Sequence, residues 1–226
     1  MKYKIEGTVM QVLTVQLNEG EEIYSESGAM SWMTGNVDMH SSIHGGIGGG
    51  LGRMFSGESL FTVKFSVTGE DPGTVTFSPS FPGKIIPVEI TPERPLICQK
   101  DSFLAAQTEV AVKTVFRKKL TVGFFGGEGF SLQKLSGNGM AFVEIDGEVS
   151  EIDLKEGETL KVDTGSLAMF EPTVDYDVAM VKGVRNIMFG GEGMFLAVMK
   201  GPGKVWLQTM PATNLAQRIL SFLQKK

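Results

Sequence analysis

Cysteine, histidine and long apolar runs are what this sequence lacks. Cys98 is the one cysteine among 226 residues, so no internal disulfide forms and no cysteine metal cluster is available. Set in the apolar run Leu96-Ile-Cys-Gln99, it reads as a small packed hydrophobe rather than a nucleophile. Two histidines, His40 and His44, leave no Ser/His/Asp or Cys/His arrangement of useful spacing, and no cofactor is called for. No stretch reaches the roughly 18 consecutive apolar residues of a transmembrane helix. The opening MKYKIEGTVMQVLTVQL has no apolar core of a signal peptide. A cytoplasmic protein is the expectation. Basic charge is also scarce: 21 Lys and Arg against 26 Asp and Glu give a net charge of −5. That balance disfavours a broad nucleic-acid surface, which needs clustered cations to displace counterions from phosphates.

Glycine is abundant, with 29 residues, and it punctuates rather than forming a low-complexity tract. One short pattern occurs three times, as Phe55-Ser-Gly57-Glu58, Phe125-Gly-Gly127-Glu128 and Phe189-Gly-Gly191-Glu192. Other segments recur with it. Leu17-Asn-Glu-Gly-Glu21 matches Leu154-Lys-Glu-Gly-Glu158, and Ser27-Gly-Ala-Met30 matches Thr164-Gly-Ser-Leu167, both 137 residues on. A more diverged middle copy holds Ile90-Thr-Pro-Glu-Arg-Pro-Leu96 and Lys100-Asp-Ser-Phe103. Between these turns the chain alternates with period two and is rich in Val, Ile and Thr, which specifies strands. The turns Gly69–Gly73, Gly137-Asn-Gly139 and Gly201-Pro-Gly203 each separate two alternating runs and read as hairpins.

The fold class expected is all-β: three tandem repeats of one supersecondary unit, about residues 1–80, 81–146 and 147–210, in a single compact domain. Such units stack or close so that each buries its neighbour's open face. Residues 3–17 read as one strand that completes the last unit or seals the ring. On the strand after each Gly-Glu, the parity of Leu60 and Thr62, of Phe130 and Leu132, and of Met194 and Leu196 is expected to face the core. The opposite parity is apolar in copies one and three but carries Ser131 and Gln133 in copy two, so that strand reads as half-solvated. Residues 211–226 form a C-terminal helix, capped by Thr213 or Asn214, with Leu215, Ile219, Phe222 and Leu223 in one stripe. Docking of that stripe on the β core or on a neighbouring subunit is the expectation. A membrane surface is the alternative.

Each candidate site has a bland counterpart. Three convergent carboxylates at Gly57-Glu58, Gly127-Glu128 and Gly191-Glu192 suit a hard cation or acid–base work. The competing reading is a glutamate that accepts backbone N–H groups at a corner used three times. His40 and His44 at i, i+4 are metal candidates, but Ser and Gly around them argue against the helix that would align them. The loop Gly45–Gly52 matches neither phosphate-binding glycine motif and precedes a strand, so it reads as a turn. Lys113, Arg117, Lys118 and Lys119 are the one basic cluster, a solvated turn or a patch for RNA or anionic lipid.

Gly45-Gly-Ile-Gly-Gly-Gly-Leu-Gly-Arg-Met-Phe-Ser-Gly-Glu-Ser-Leu-Phe61, the Gly73-Thr-Val-Thr-Phe77 run and Phe81-Pro-Gly-Lys-Ile85 carry a resemblance. Over essentially its whole length the chain resembles the mitochondrial-biogenesis ("altered inheritance of mitochondria") family, in its prokaryotic branch of unknown function. The resemblance implies a fold similar to that of the tryptophan RNA-binding attenuation protein (TRAP). That fold is a short double-stranded β-helix, here in three copies around a pseudo-threefold axis with a C-terminal α-helix. It implies no catalytic residues. The function expected is a non-enzymatic homo-oligomeric scaffold or binding protein, a trimer by preference, with a protein or a membrane surface as candidate partner. An RNA-binding protein is the second reading, by fold analogy, and a cupin-like small-molecule or metal enzyme the third.

Overall fold

The structure is a computed structural model that describes residues 1–43, 61–118, 130–180 and 195–223. A first strand, β1 (Lys2–Glu6), precedes three runs of six. The first run is β2 (Val12–Leu17), β3 (Glu22–Glu26), β4 (Met30–Met33), β5 (Val37–Ile43), β6 (Phe61–Val67) and β7 (Gly73–Phe77). The second is β8 (Gly83–Ile90), β9 (Leu96–Gln99), β10 (Phe103–Gln107), β11 (Val110–Lys118), β12 (Phe130–Gly137) and β13 (Gly139–Asp146). The third is β14 (Val149–Leu154), β15 (Thr159–Asp163), β16 (Leu167–Phe170), β17 (Asp175–Met180), β18 (Phe195–Lys200) and β19 (Gly203–Gln208), followed by helix α1 (Ala212–Leu223). Among the described residues the protein is thus mostly strand, with one α-helix at the C-terminal end.

Among the described residues four sheets result, in the orders β1-β2-β7-β4, β5-β6-β3-β10-β13-β8, β11-β12-β9-β16-β19-β14 and β15-β18-β17. One pairing rule runs through them. In every run of six, the sixth strand lies between the first and the third, and the fifth lies between the second and the fourth. Runs are joined by pairing the second strand of one with the third of the next. Ala105 of β10 faces Ser25 of β3, and Met169 of β16 faces Cys98 of β9. The chain divides into two compact units. Met1–Pro92, Phe103–Ala111 and Ser136–Glu144 make the first, which carries the first two sheets. The remainder makes the second, with the other two sheets and α1.

The glycine turns are therefore not hairpins. Gly137-Asn-Gly139 joins β12 to β13, which belong to different sheets, and the turns before β7 and β19 do the same. Alternation reports strands and glycine reports a turn, but neither reports which strand is the neighbour. The corner is steric. Gly137 has φ +122°, and a Cβ there would run into the Glu109 carbonyl of the β10–β11 turn. No L side chain fits that close approach. The N-terminal run also differs from expectation. Gly7, at φ +99° with the Met10 carbonyl against it, breaks residues 3–17 into two strands. β1 folds back on β2, Ile5 opposite Leu13, while β2 takes the place that β8 and β14 hold in the later runs.

The first unit's core gathers Leu13, Val15, Val75, Phe65 and Phe77, the two rings meeting edge-on at 5.3 Å. In the second unit Phe130, Leu132, Phe170, Met199 and Val205 pack together, with Phe116 and Tyr176 against them. Each such side chain contributes about 1.5–3 kcal/mol on burial. The parity expectation needs correction. On β12 Phe130, Ser131, Leu132 and Gln133 are all buried, so this strand is covered on both faces rather than half-solvated. On β18 Ala197 and Met199 are buried, whereas Leu196 is half-buried, so the core parity is the opposite of the one expected.

Candidate functional site

Most residues that the sequence singles out lie outside the described residues. These are Gly57-Glu58, Gly127-Glu128, Gly191-Glu192, His44, Lys119 and the Gly45–Gly52 loop. His40 is exposed on β5, opposite Lys64 of β6, whose Nζ reaches Glu22 Oε1 at 2.8 Å. Lys113 is exposed on β11, and Arg117 and Lys118 end that strand. Among the described residues no three His, Cys, Asp or Glu side chains are placed to hold a metal. Cys98 is buried.

What the structure does bring together is a set of side-chain clamps on backbone N–H groups. Glu144 Oε2 accepts from the Ser80 N–H at 3.0 Å. Gln208 Oε1 accepts from the Asp146 N–H at 3.0 Å, and Gln208 Nε2 donates to the Gly165 carbonyl at 2.7 Å. Glu144 and Gln208 lie near or at the ends of β13 and β19, the sixth strands of their runs. Ser80 and Asp146 are each the link to, or the end before, the next run. Both clamp side chains are more than nine-tenths buried, so an N–H left without its acceptor would be desolvated with nothing in return. Gln107 Oε1 does the same for the Met140 N–H at 2.8 Å, and Gln11 Oε1 for the Ile85 N–H at 2.7 Å. Sequence reasoning missed this set. The available signal was the Glu and Gln that end the matching runs Ala141-Phe-Val-Glu144 and Val205-Trp-Leu-Gln208.

Asp146 has a second role. Its Oδ2 accepts from the Ala212 N–H at 2.7 Å, so the first helical donor of α1 is satisfied from 66 residues upstream, not by Thr213 or Asn214. The Met210 N–H donates to the Asp146 carbonyl at 3.2 Å, and Thr209 and Glu148 exchange bonds of 2.9 and 3.1 Å. Gly147, at φ +78°, lets this link pass close to Thr209 and Met210. Burial pushes the Asp146 carboxyl above its ordinary range and the charge of Asp101 adds to that, while the Ala212 N–H pulls the other way.

Over residues 3–210 the sequence matches the family model described as mitochondrial biogenesis AIM24. This chain belongs to the AIM24 family. Among relatives of this AIM24 protein is an uncharacterised protein of Streptococcus pyogenes serotype M6, 25% identical over 232 residues, covering 99% of this chain and 91% of the relative. The X-ray crystal structure of a Streptococcus pyogenes protein shares the fold at a TM-score of 0.81 and 24% identity, covering 98% of this chain and 99% of that one.

Proposed function

We propose that this AIM24-family chain is a non-enzymatic, homo-oligomeric β scaffold or binding protein of the cytoplasm, built of three TRAP-like repeats about a pseudo-threefold axis. One observation carries the reading. The pairing order of six strands recurs three times, and the buried Glu144 and Gln208 side chains at its boundaries are committed to backbone N–H groups. Side chains used this way hold strands in place. Association is supported by where the exposed apolar side chains lie. Trp32, Met39 and Val115 are on β4, β5 and β11, each the last strand of its sheet. An edge strand that exposes large apolar groups is a pairing surface unless something covers it. A trimer is the assembly favoured.

Native mass spectrometry of gently purified protein tests the reading. A trimer without added mass is the expected result. A monomer sinks the oligomer, and a stoichiometric excess mass matching a metal or nucleotide sinks the plain scaffold.

A further inference from the structure

The two junctions between runs are equivalent residue for residue. At the first, Ala105 of β10 faces Ser25 of β3 and Ala106 faces Tyr24. At the second, Met169 of β16 faces Cys98 of β9 and Phe170 faces Ile97. Met169 follows Ala105 by 64 residues, the spacing of the last two copies. A bulge marks the same place on both strands. β10 slips register between Phe103 and Ala105 against β13, and β16 does so between Leu167 and Met169 against β19. A bulge is a built feature, so it fixes the equivalence apart from sequence. All eight facing residues are buried.

The third strand of the first run, β4, has no such neighbour. It ends its sheet with β7 beside it and, among the described residues, no strand beyond. It carries the same bulge, between Met30 and Trp32, so Trp32 and Met33 stand where Met169 and Phe170 stand in β16. There the side chains are fully buried, whereas Trp32 is 57% exposed and Met33 half-buried. The second strand of the last run, β15, is open in the complementary way, with β18 beside it and no described strand beyond. Val162 and Lys161 hold the places of Cys98 and Ile97, 64 residues on. Their inner neighbours agree, since Cys98 faces Gln133 and Val162 faces Ala197, again 64 apart. Lys161 is exposed where Ile97 is buried. An open edge with a large exposed apolar side chain is a template for another strand.

We propose that β4 of one copy of this chain pairs antiparallel with β15 of a second copy, Trp32 opposite Val162 and Met33 opposite Lys161. The internal junctions select that occupant, because they show which strand each edge accepts and in which register. The joined sheet runs β17-β18-β15 of one copy into β4-β7-β2-β1 of the next. Trp32 covers Val162 as Met169 covers Cys98, and Lys161 lays its methylene stem along Met33 with the ammonium in water. Each copy supplies one β4 and one β15, a head-to-tail contact that a ring of copies closes. The proposal rests on the homo-oligomer reading and names its interface.

Cysteine cross-linking in a Cys98→Ala background tests it. Trp32→Cys and Val162→Cys are placed in separate chains, which are co-expressed with different tags and oxidised. Opposed residues of an antiparallel pair lie about 4.5–5.5 Å apart at Cα, within disulfide reach. A disulfide-linked dimer is expected from the two chains together and from neither alone. Met33→Cys with Lys161→Cys, which spares buried Val162, repeats the test should that variant misfold. Trp32→Lys in the otherwise natural chain puts a charge on the edge and should weaken association at least about tenfold by native mass spectrometry. A linked dimer from neither cysteine pair, or a W32C/V162C chain that oxidises wholly within itself, overturns the proposal. An oligomer of unchanged size and affinity in W32K does so too, and leaves the homo-oligomer reading standing. A monomeric natural chain sinks both.

Discussion

Glu144 Oε2 sits 3.0 Å from the backbone nitrogen of Ser80, a bond that closes 64 residues of chain on itself. The equivalent bond one run later, from the Asp146 N–H to Gln208 Oε1, uses an amide where this one uses a carboxylate. A backbone donor asks only for an oxygen, which both residues supply.

Glu144→Gln should accordingly keep the clamp, while Glu144→Ala strips the Ser80 N–H of its acceptor. The alanine variant is expected to lose about 1–3 kcal/mol of unfolding free energy, measured by urea denaturation. Equal stability of the alanine and glutamine variants would show that the bond contributes nothing.

Gln133 gives the opposite case. It is 1% exposed, and its Oε1 is buried with no hydrogen-bond partner among the described residues. Gln133→Met removes an unsatisfied acceptor at similar volume and should be neutral or stabilising by up to about 1 kcal/mol. Gln208→Met, which loses bonds at both ends of the side chain, should be clearly destabilising. Thermal denaturation of the pair checks the contrast, and reversal of the order counts against it.

Corner glycines differ from turn glycines. Gly28 has φ +95° with open space where a Cβ would go. Its change to alanine should cost only the backbone term, about 1–2 kcal/mol. Gly137→Ala adds a collision with the Glu109 carbonyl and should cost more, by at least about 1 kcal/mol. Matched urea midpoints for the two variants would refute the distinction.

These glycines show what was legible in the sequence. The turns Asn18–Glu21 and Lys155–Glu158 recur in space as they do in sequence. Glu21 and Glu158 accept from the Asn18 and Lys155 N–H groups at 2.9 and 2.8 Å, and Gly20 and Gly157 have φ +78° and +80°. Local turn chemistry is written locally, so it could be read. Pairing was not legible, because β12 and β13 alternate across Gly137 just as a hairpin would, while their partners β9 and β10 lie tens of residues back. The helix was visible as a stripe, but the bond from its first donor goes to Asp146, 66 residues upstream, which no local pattern records. The clamps needed burial to distinguish them from surface Glu and Gln.

Two carboxyls shift in opposite directions, which sets the pH response. Burial pushes Glu21 up, but bonds from the N-terminal ammonium and Asn18 outweigh it, and its pKa ends below the usual 4.5. A lowered folded value contributes stability above the unfolded pKa that is lost as pH falls through the folded one. For Asp146, raised above 3.8 by burial and Asp101, the contribution is present below the unfolded pKa and lost as pH rises through the folded value. Glu21→Gln should therefore flatten the acid limb of the stability curve. Asp146→Asn, which can still accept from Ala212, should gain relative to wild type as pH rises above the carboxyl range. Urea unfolding at a series of pH values reads both, and parallel curves for all three proteins would refute both assignments.

The six-strand pairing rule also sets a timetable for synthesis. Since the sixth strand lies between the first and third, β2 and β4 must wait for β7, and β3 lacks its β10 neighbour until a further thirty residues have left the ribosome. β19 is the last strand made, yet it lies between β14 and β16. A nascent chain stopped just after Gln208 has every strand it needs, whereas one stopped at Lys200 holds two unjoined edges. The stretch from Gly203 to Gln208 thus decides when the second unit can close, because only those six residues join the β14 and β16 edges.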